Sequence, residues 1–176
     1  YEGQIFYMGE EAKFKNIKES ENAGIVIIHQ ELTMIPELSI TENIFMGNEI
    51  VKHGLIDWEE ARRRTMDLMD RVGLNLNPNT LIKNLGVGQQ QLVEIAKALS
   101  KNVKLLILDE PTCALNEADS ANLLELMRGL KSKGITCIMI SHKLNEIAAI
   151  SDAVTVIRDG RTVETYPVEA GHVDED

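Results

Sequence analysis

Leu105-Leu106-Ile107-Leu108-Asp109-Glu110-Pro111 is the stretch on which the reading of this chain turns. Four consecutive apolar residues make a strand buried on both faces, and two carboxylates emerge together at its end. Adjacent carboxylates repel, so they persist where a cation compensates one of them. In nucleotide hydrolases the first such group holds Mg²⁺ and the second orients or deprotonates the attacking water. The plainer reading is a strand that ends in a solvated acidic turn, and the motif alone does not separate the two.

Two further runs have the same character: Gly24-Ile25-Val26-Ile27-Ile28 and Ile135-Thr136-Cys137-Ile138-Met139-Ile140. Each predicts a strand buried on both faces, and each ends in polar residues, the edge at which parallel strands carry chemistry. Gln30 closes the first run, and its amide suits Mg²⁺, water or simply solvent. His142 follows the second. If the two strands are neighbours, it shares an edge with Glu110, where an imidazole can donate to a phosphate oxygen and hold a water-orienting group. A half-exposed polar residue is the ordinary alternative.

Between residues 36 and 103 the periodicity turns helical. Asp57 caps a helix over 58–72 whose Glu60 returns the bond; Trp58, Ala61, Leu68, Met69 and Val72 share a face, and Gly73 ends it. A second helix opens near Gly88 and carries Leu92, Val93, Ile95, Ala96 and Leu99 on one face. Gly86-Val87-Gly88-Gln89 precedes it, a stretch whose backbone can approach a ligand and offer free amides to phosphate, or that is merely a flexible helix start. A third helix over 117–130 buries Ala121, Leu124, Met127 and Leu130. Toward the N-terminus, residues 4–7 and 12–14 read as short strands around Gly9-Glu10-Glu11, with a helix over 18–23. Toward the C-terminus, Asp159-Gly160 predicts a tight hairpin between 154–158 and 161–164. A helical insert thus splits an α/β core.

The chain has 176 residues, enough for one cored domain, with 44 % hydrophobic and 26 % charged residues. Lys plus Arg number 18 against 28 Asp plus Glu, a net charge of −10. That balance disfavours a broad nucleic-acid or anionic-lipid footprint, though not a small anion held by backbone amides. Cys113 and Cys137 are too few for a disulfide scaffold and read as reduced, buried thiols. No apolar run reaches the roughly 20 residues that span a bilayer. The chain opens on Tyr1-Glu2-Gly3 without an initiator Met, which reads as a segment of something longer.

Taken in order, Gln30, a helical insert, Gly86 to Gln89, Asp109-Glu110 and His142 resemble the ATP-binding cassette (ABC) family. There they correspond to the Q-loop, signature motif, Walker B strand and H-loop, with Asn116 where that family has its D-loop. The stretches around Ile27-Ile28-His29-Gln30, Thr41-Glu42-Asn43-Ile44-Phe45 and Gln91-Leu92-Val93-Glu94-Ile95-Ala96 look like bacterial monosaccharide importers of the D-xylose and multiple-sugar type, in the first of two tandem cassettes. The resemblance covers nearly the whole chain. It implies a partial P-loop NTPase (RecA-like) fold with an α/β core over 1–35 and 104–176 and a helical subdomain over 36–103. It implies ATP and Mg²⁺ as cofactors. Glu110 is then the general base, Asp109 and Gln30 the metal side, and His142 a γ-phosphate contact. Gly86, Val87, Gly88 and Gln89 face the nucleotide of the opposite cassette, and Asn116 is a further nucleotide-binding residue. The implied partners are permease subunits, a periplasmic sugar-binding protein acting through them, and a second cassette or dimer mate, with no nucleic acid. The implied location is the cytoplasmic face of the bacterial inner membrane.

Two departures stand out. Gly86 replaces the usual signature Ser, as in the xylose-type proteins. And none of the twelve glycines is followed by Lys, so the family's phosphate loop is not in this sequence; the resemblance locates it upstream of Tyr1. A soluble, non-transport cassette ATPase and a regulatory cassette without hydrolysis are the alternatives. The acidic charge weighs against the first, and retention of both Asp109 and Glu110 against the second.

Overall fold

A computed structural model describes residues 3–168; the two ends of the expected core, residues 1–2 and 169–176, lie outside the described residues. The three apolar runs pair as one parallel sheet. β3 (Ile25–Ile28), β6 (Leu105–Asp109) and β7 (Thr136–Ile140) stand in the order β3-β6-β7, with Ile28 opposite Leu108 and Asp109 opposite Ile140. Gln30, Asp109, Glu110 and His142 therefore leave the sheet at one edge.

Only one face of this sheet is covered among the described residues. Val26, Ile28, Leu106 and Leu108 are buried. They meet α4 (Val87–Leu99) on the β3 side and α5 (Glu117–Ser132) on the β7 side. On the other face Ile27, Ile138 and Ile140 are 45 %, 47 % and 50 % exposed. Burial on both faces, expected from the apolar runs, is thus corrected: alternation along each strand sends every second residue to a face with no described element on it.

Between β3 and β6 the chain forms α2 (Ile40–Phe45), the hairpin β4 (Val51–Lys52) and β5 (Leu55–Ile56), α3 (Trp58–Arg71), a 3₁₀ turn (Ile82–Asn84) and then α4. α2 is opened by a full capping box in which Ser39 and Glu42 exchange hydrogen bonds. Its Asn43, with no exposed surface, accepts from Ile35 N and donates to the carbonyls of Ile35 and Ser39. α3 begins at Asp57, which accepts from Glu60 N at 3.0 Å. The expected return bond from Glu60 is absent, because Arg63 and Arg64 take its carboxylate at 2.8 and 2.7 Å. Thr65 joins Ala61, Leu68 and Met69 on the buried face, whereas Trp58 is 41 % exposed.

On α5 the core face is Leu123, Leu124, Met127 and Leu130, and Ala121 is exposed, a shift of the expected face by part of a turn. Around these lie β1 (Phe6–Tyr7), β2 (Glu10–Glu11), α1 (Ile17–Asn22), α6 (Leu144–Ile150), β8 (Ala153–Arg158) and β9 (Arg161–Pro167). Residues 10 and 11, expected in a turn, are strand, and residues 12–14 are not. The cause is Met8-Gly9, whose φ values of 52° and 85° turn the chain two residues earlier. His53-Gly54 and Asp159-Gly160 repeat this geometry in the other hairpins. Both turn residues at positive φ match the twist of the flanking strands.

Candidate functional site

Glu110 is the first residue past β6 and has a φ of 46°. That is a left-handed conformation a non-glycine residue holds only when its surroundings impose it. Its N–H donates to the Ile140 carbonyl at 2.9 Å, carrying the ladder one residue beyond the strand. The kink leaves the Glu110 side chain largely buried, at 19 % exposure, beside the more exposed His142. His142 Nδ1 stands 2.8 Å from Glu110 Oε1, and Glu110 Oε2 is buried with no hydrogen-bond partner. The arrangement is an imidazole against a carboxylate that keeps one oxygen free, suited to accept a proton from water while the ring holds its orientation.

Three residues not singled out from the sequence hold this pair. Thr112, fully buried, donates from Oγ1 to Glu146 Oε2 at 2.6 Å. Lys143 Nζ donates to the Thr112 carbonyl at 2.9 Å and to Glu146 Oε1 at 3.2 Å. The loop after Glu110 is thereby tied to the residue after His142. Lys143 and Glu146 stand three apart at the start of α6, a spacing legible in the sequence; their meeting with Thr112 is not.

Gln30 lies in the same neighbourhood. Its Nε2 donates to Cys113 Sγ at 3.8 Å, and Gln30 and Glu110 line one cavity with Val87. Cys113 is exposed, against the expectation of a buried thiol, while Cys137 is half-buried and its thiol is pushed up by that burial. The other signature residues lie at the start of α4. Gly86 is its N-cap and donates its N–H to Gln89 Oε1 at 3.2 Å. At Gly88 a side chain would meet the Asp119 carboxylate at 2.7 Å, so glycine lets α4 approach α5. Asn116 caps α5, accepting from Asp119 N at 2.9 Å and donating to Asp119 Oδ2 at 2.8 Å. Gly86, Gln89 and Asn116 do not border the cavity that Gln30 and Glu110 share. Among the described residues no three His, Cys, Asp or Glu converge on a metal position.

A second cleft, about 160 Å³, opens on the insert between α2, the β4–β5 hairpin and α3. Leu38, Phe45, Met46, Ile56 and Trp58 give it an apolar floor, and Glu42 and Glu49 stand at it. Both carboxyls are held below the usual range. Glu42 is lowered by hydrogen bonds from Ser39 and Glu49 by the Gly47 N–H, so both are anionic at neutral pH.

The family model of ABC transporters matches residues 1–113. The chain belongs to the ABC transporter family. The L-arabinose transport ATP-binding protein AraG of Geobacillus stearothermophilus is 60 % identical over 176 residues, all of this chain and 34 % of that protein. The xylose import ATP-binding protein XylG of Moorella thermoacetica is 58 % identical over 165 residues, 94 % of this chain and 33 % of that protein. The chain spans about a third of the length of these curated relatives. A nucleotide-free ATP-binding cassette from an ABC transporter superposes with a TM-score of 0.83 at 23 % identity, over 96 % of this chain and 70 % of that one. A dimeric cassette in a post-hydrolysis state with ADP and Pi gives 0.78 at 24 %, over 96 % and 74 %. The fold of this ABC chain is therefore the cassette fold, as the order of motifs implied. No described helix is long and apolar enough to cross a membrane.

Proposed function

We propose that this chain is part of the ATP-hydrolysing subunit of a bacterial importer for a pentose-class monosaccharide. The observation that carries the reading is the Glu110–His142 pair at 2.8 Å, with Asp109 adjacent, where two parallel strands end. Glu110 acts as general base toward the attacking water, and its unpartnered Oε2 is the oxygen available for it. His142 orients that carboxylate and contacts the γ-phosphate. Gln30 registers the nucleotide. Gly86, Val87, Gly88 and Gln89 face the nucleotide held by a second cassette or dimer mate, and Asn116 is a further nucleotide-binding residue. The residues fit a hydrated Mg²⁺, since Asp109 and Gln30 supply hard oxygen donors. A cation that keeps water and phosphate oxygens also needs no protein cage. Bound there, Mg²⁺ would neutralise charge on the phosphates.

The sugar is a pentose in this reading because the similar AraG and XylG proteins are described as L-arabinose and xylose transporters. The apolar cleft beside Glu42 and Glu49 is the dock for a short, basic permease helix, and a periplasmic binding protein delivers the sugar to that permease. The subunit then lies peripherally on the cytoplasmic face of the inner membrane.

The test is Glu110→Gln in the full-length protein, with the matching base of any second cassette also removed. General-base loss costs about 10²–10⁴-fold in rate, while ATP affinity changes little. ATP hydrolysis within about threefold of wild type would exclude Glu110 as the base.

A further inference from the structure

The cavity that Gln30 and Glu110 share has a volume of about 300 Å³ and is closed on one side by Gln91 of α4. Buried polar atoms in folded proteins nearly always have partners. Among the described residues three such side-chain atoms have none: Gln91 Nε2, Glu94 Oε2 and Glu110 Oε2. Glu110 belongs to the site already described. The other two stand three residues apart, on one face of one helix, with Gln91 6 % and Glu94 9 % exposed. One is a donor and the other an acceptor.

The second oxygen of Glu94 is not free. Thr33 Oγ1 donates to Glu94 Oε1 at 2.6 Å, and Thr33 lies three residues past Gln30. Segment 29–33 is exposed except for the half-buried Leu32, and it runs between two firm ends. Ile28 is buried in β3, and Ile35 is held on both its backbone groups by Asn43. Between those ends the one other side-chain hydrogen bond of the segment among the described residues is the weak one from Gln30 to Cys113 at 3.8 Å. The strong tether of the Gln30 segment is therefore a carboxylate on the helix that Gly86 opens. A buried carboxylate with a single neutral donor is unfavourable for folding, and an apolar residue on this face would pack without that penalty.

We propose that Glu94 and Gln91 are positioning residues. They form a polar seat on α4 for segment 30–33, so that a displacement of Gln30 is passed to the helix start at Gly86 and Gly88. In the arrangement seen, Thr33 occupies the Glu94 half of the seat. The Gln91 half faces the cavity, with Gln30 and Glu31 on its wall. When the segment swings inward, Gln91 Nε2 donates to the Gln30 carboxamide oxygen or the Glu31 carboxylate, and the cavity closes. Small shifts of this kind become discrete because packed elements have few alternative arrangements. The inference rests on the reading above, in which Gln30 registers nucleotide in a transporter.

The experiment uses the full-length protein assembled with its permease in lipid vesicles. ATPase rates are measured without and with the binding protein loaded with D-xylose or L-arabinose. Thr33→Val removes the hydroxyl at constant shape, and Gln91→Leu removes the amide. Each should lower the ratio of stimulated to basal rate at least about fivefold, with KM for ATP within about twofold, and Thr33→Ser should restore the ratio. Glu94→Gln, which keeps an acceptor for Thr33, should fall between. Ratios within about twofold of wild type for both Thr33→Val and Gln91→Leu overturn the inference and leave the transport reading standing. So does an equal loss of basal and stimulated rate, which marks a structural role only. A wild-type protein that hydrolyses ATP with no response to the loaded binding protein overturns the transport reading, and the inference with it.

Discussion

At the scale of single residues, the left-handed backbone of Glu110 does what a regular strand end cannot. It turns the chain immediately after Asp109, where the Glu110 carboxylate meets His142 on the neighbouring strand's continuation. Asp109, Glu110, His142 and Gln30 were all legible as polar residues closing apolar runs. Thr33, Gln91, Glu94, Thr112 and Glu146 were not, because a hydroxyl or a helix-borne carboxylate carries no signal until its partner, 34 or 61 residues away, is beside it. The two cysteines give a direct check of the local environment. Burial raises the Cys137 thiol, whereas Cys113 is exposed, and the thiolate is the reactive form. A chromogenic disulfide at neutral pH should label one thiol of the native chain quickly and the second only on unfolding, with Cys113→Ser removing the fast phase. Equal rates for both would contradict this placement.

At the scale of elements, α3, α4 and α5 were read from periodicity and caps, with the buried face of α5 shifted, while the short α2 and α6 were not read. The Ser39-x-x-Glu42 box that opens α2 is a sequence signature of a helix start, obscured here by a helix of only six residues. Asn43 is the reason α2 is worth its capping: it fixes the entering chain at Ile35. Asn43→Ala leaves the part-buried Ile35 N–H and carbonyl and the Ser39 carbonyl without this partner and should destabilise the chain by about 1–2 kcal/mol, read as a lower midpoint in urea; a change below about 0.5 kcal/mol would contradict the role. On α3, Glu60 is pulled down to about 2 from its ordinary 4.5, first by the hydrogen bond from Arg63 and then by that from Arg64. A carboxyl depressed in the folded state stabilises above its unfolded value and loses that contribution as pH falls through the folded one. The Tm difference between wild type and Glu60→Gln should therefore be constant above about pH 5 and shrink from about pH 4.5 toward 2. A difference that grows on acidification would mean the pairing is not the cause.

For the whole molecule, what matters is which surfaces face outward. The cleft on the insert combines an apolar floor with two carboxylates that are anionic at neutral pH. Of its apolar residues, Phe45 is 6 % exposed and belongs to the core, while Met46 is 39 % exposed. On the proposed docking, single cysteines at Met46 or Glu49, in a background without Cys113 and Cys137, should cross-link to the permease in membranes, and one at Ile157 on β8 should not. Efficient linkage from Ile157 with none from the cleft would relocate the interface.

The sequence by itself determined the parallel strands, the helical insert, the order of the motifs and the polar residues at the strand ends. These follow from local periodicity and from residue types read one after another. Only the tertiary structure decided which strands are neighbours, and so whether His142 reaches Glu110. It alone decided that one sheet face is uncovered among the described residues, that Cys113 is exposed, and that Thr33 grips Glu94. Those are consequences of register and packing between segments far apart in the chain, and short-range pattern carries no information about distance across a fold.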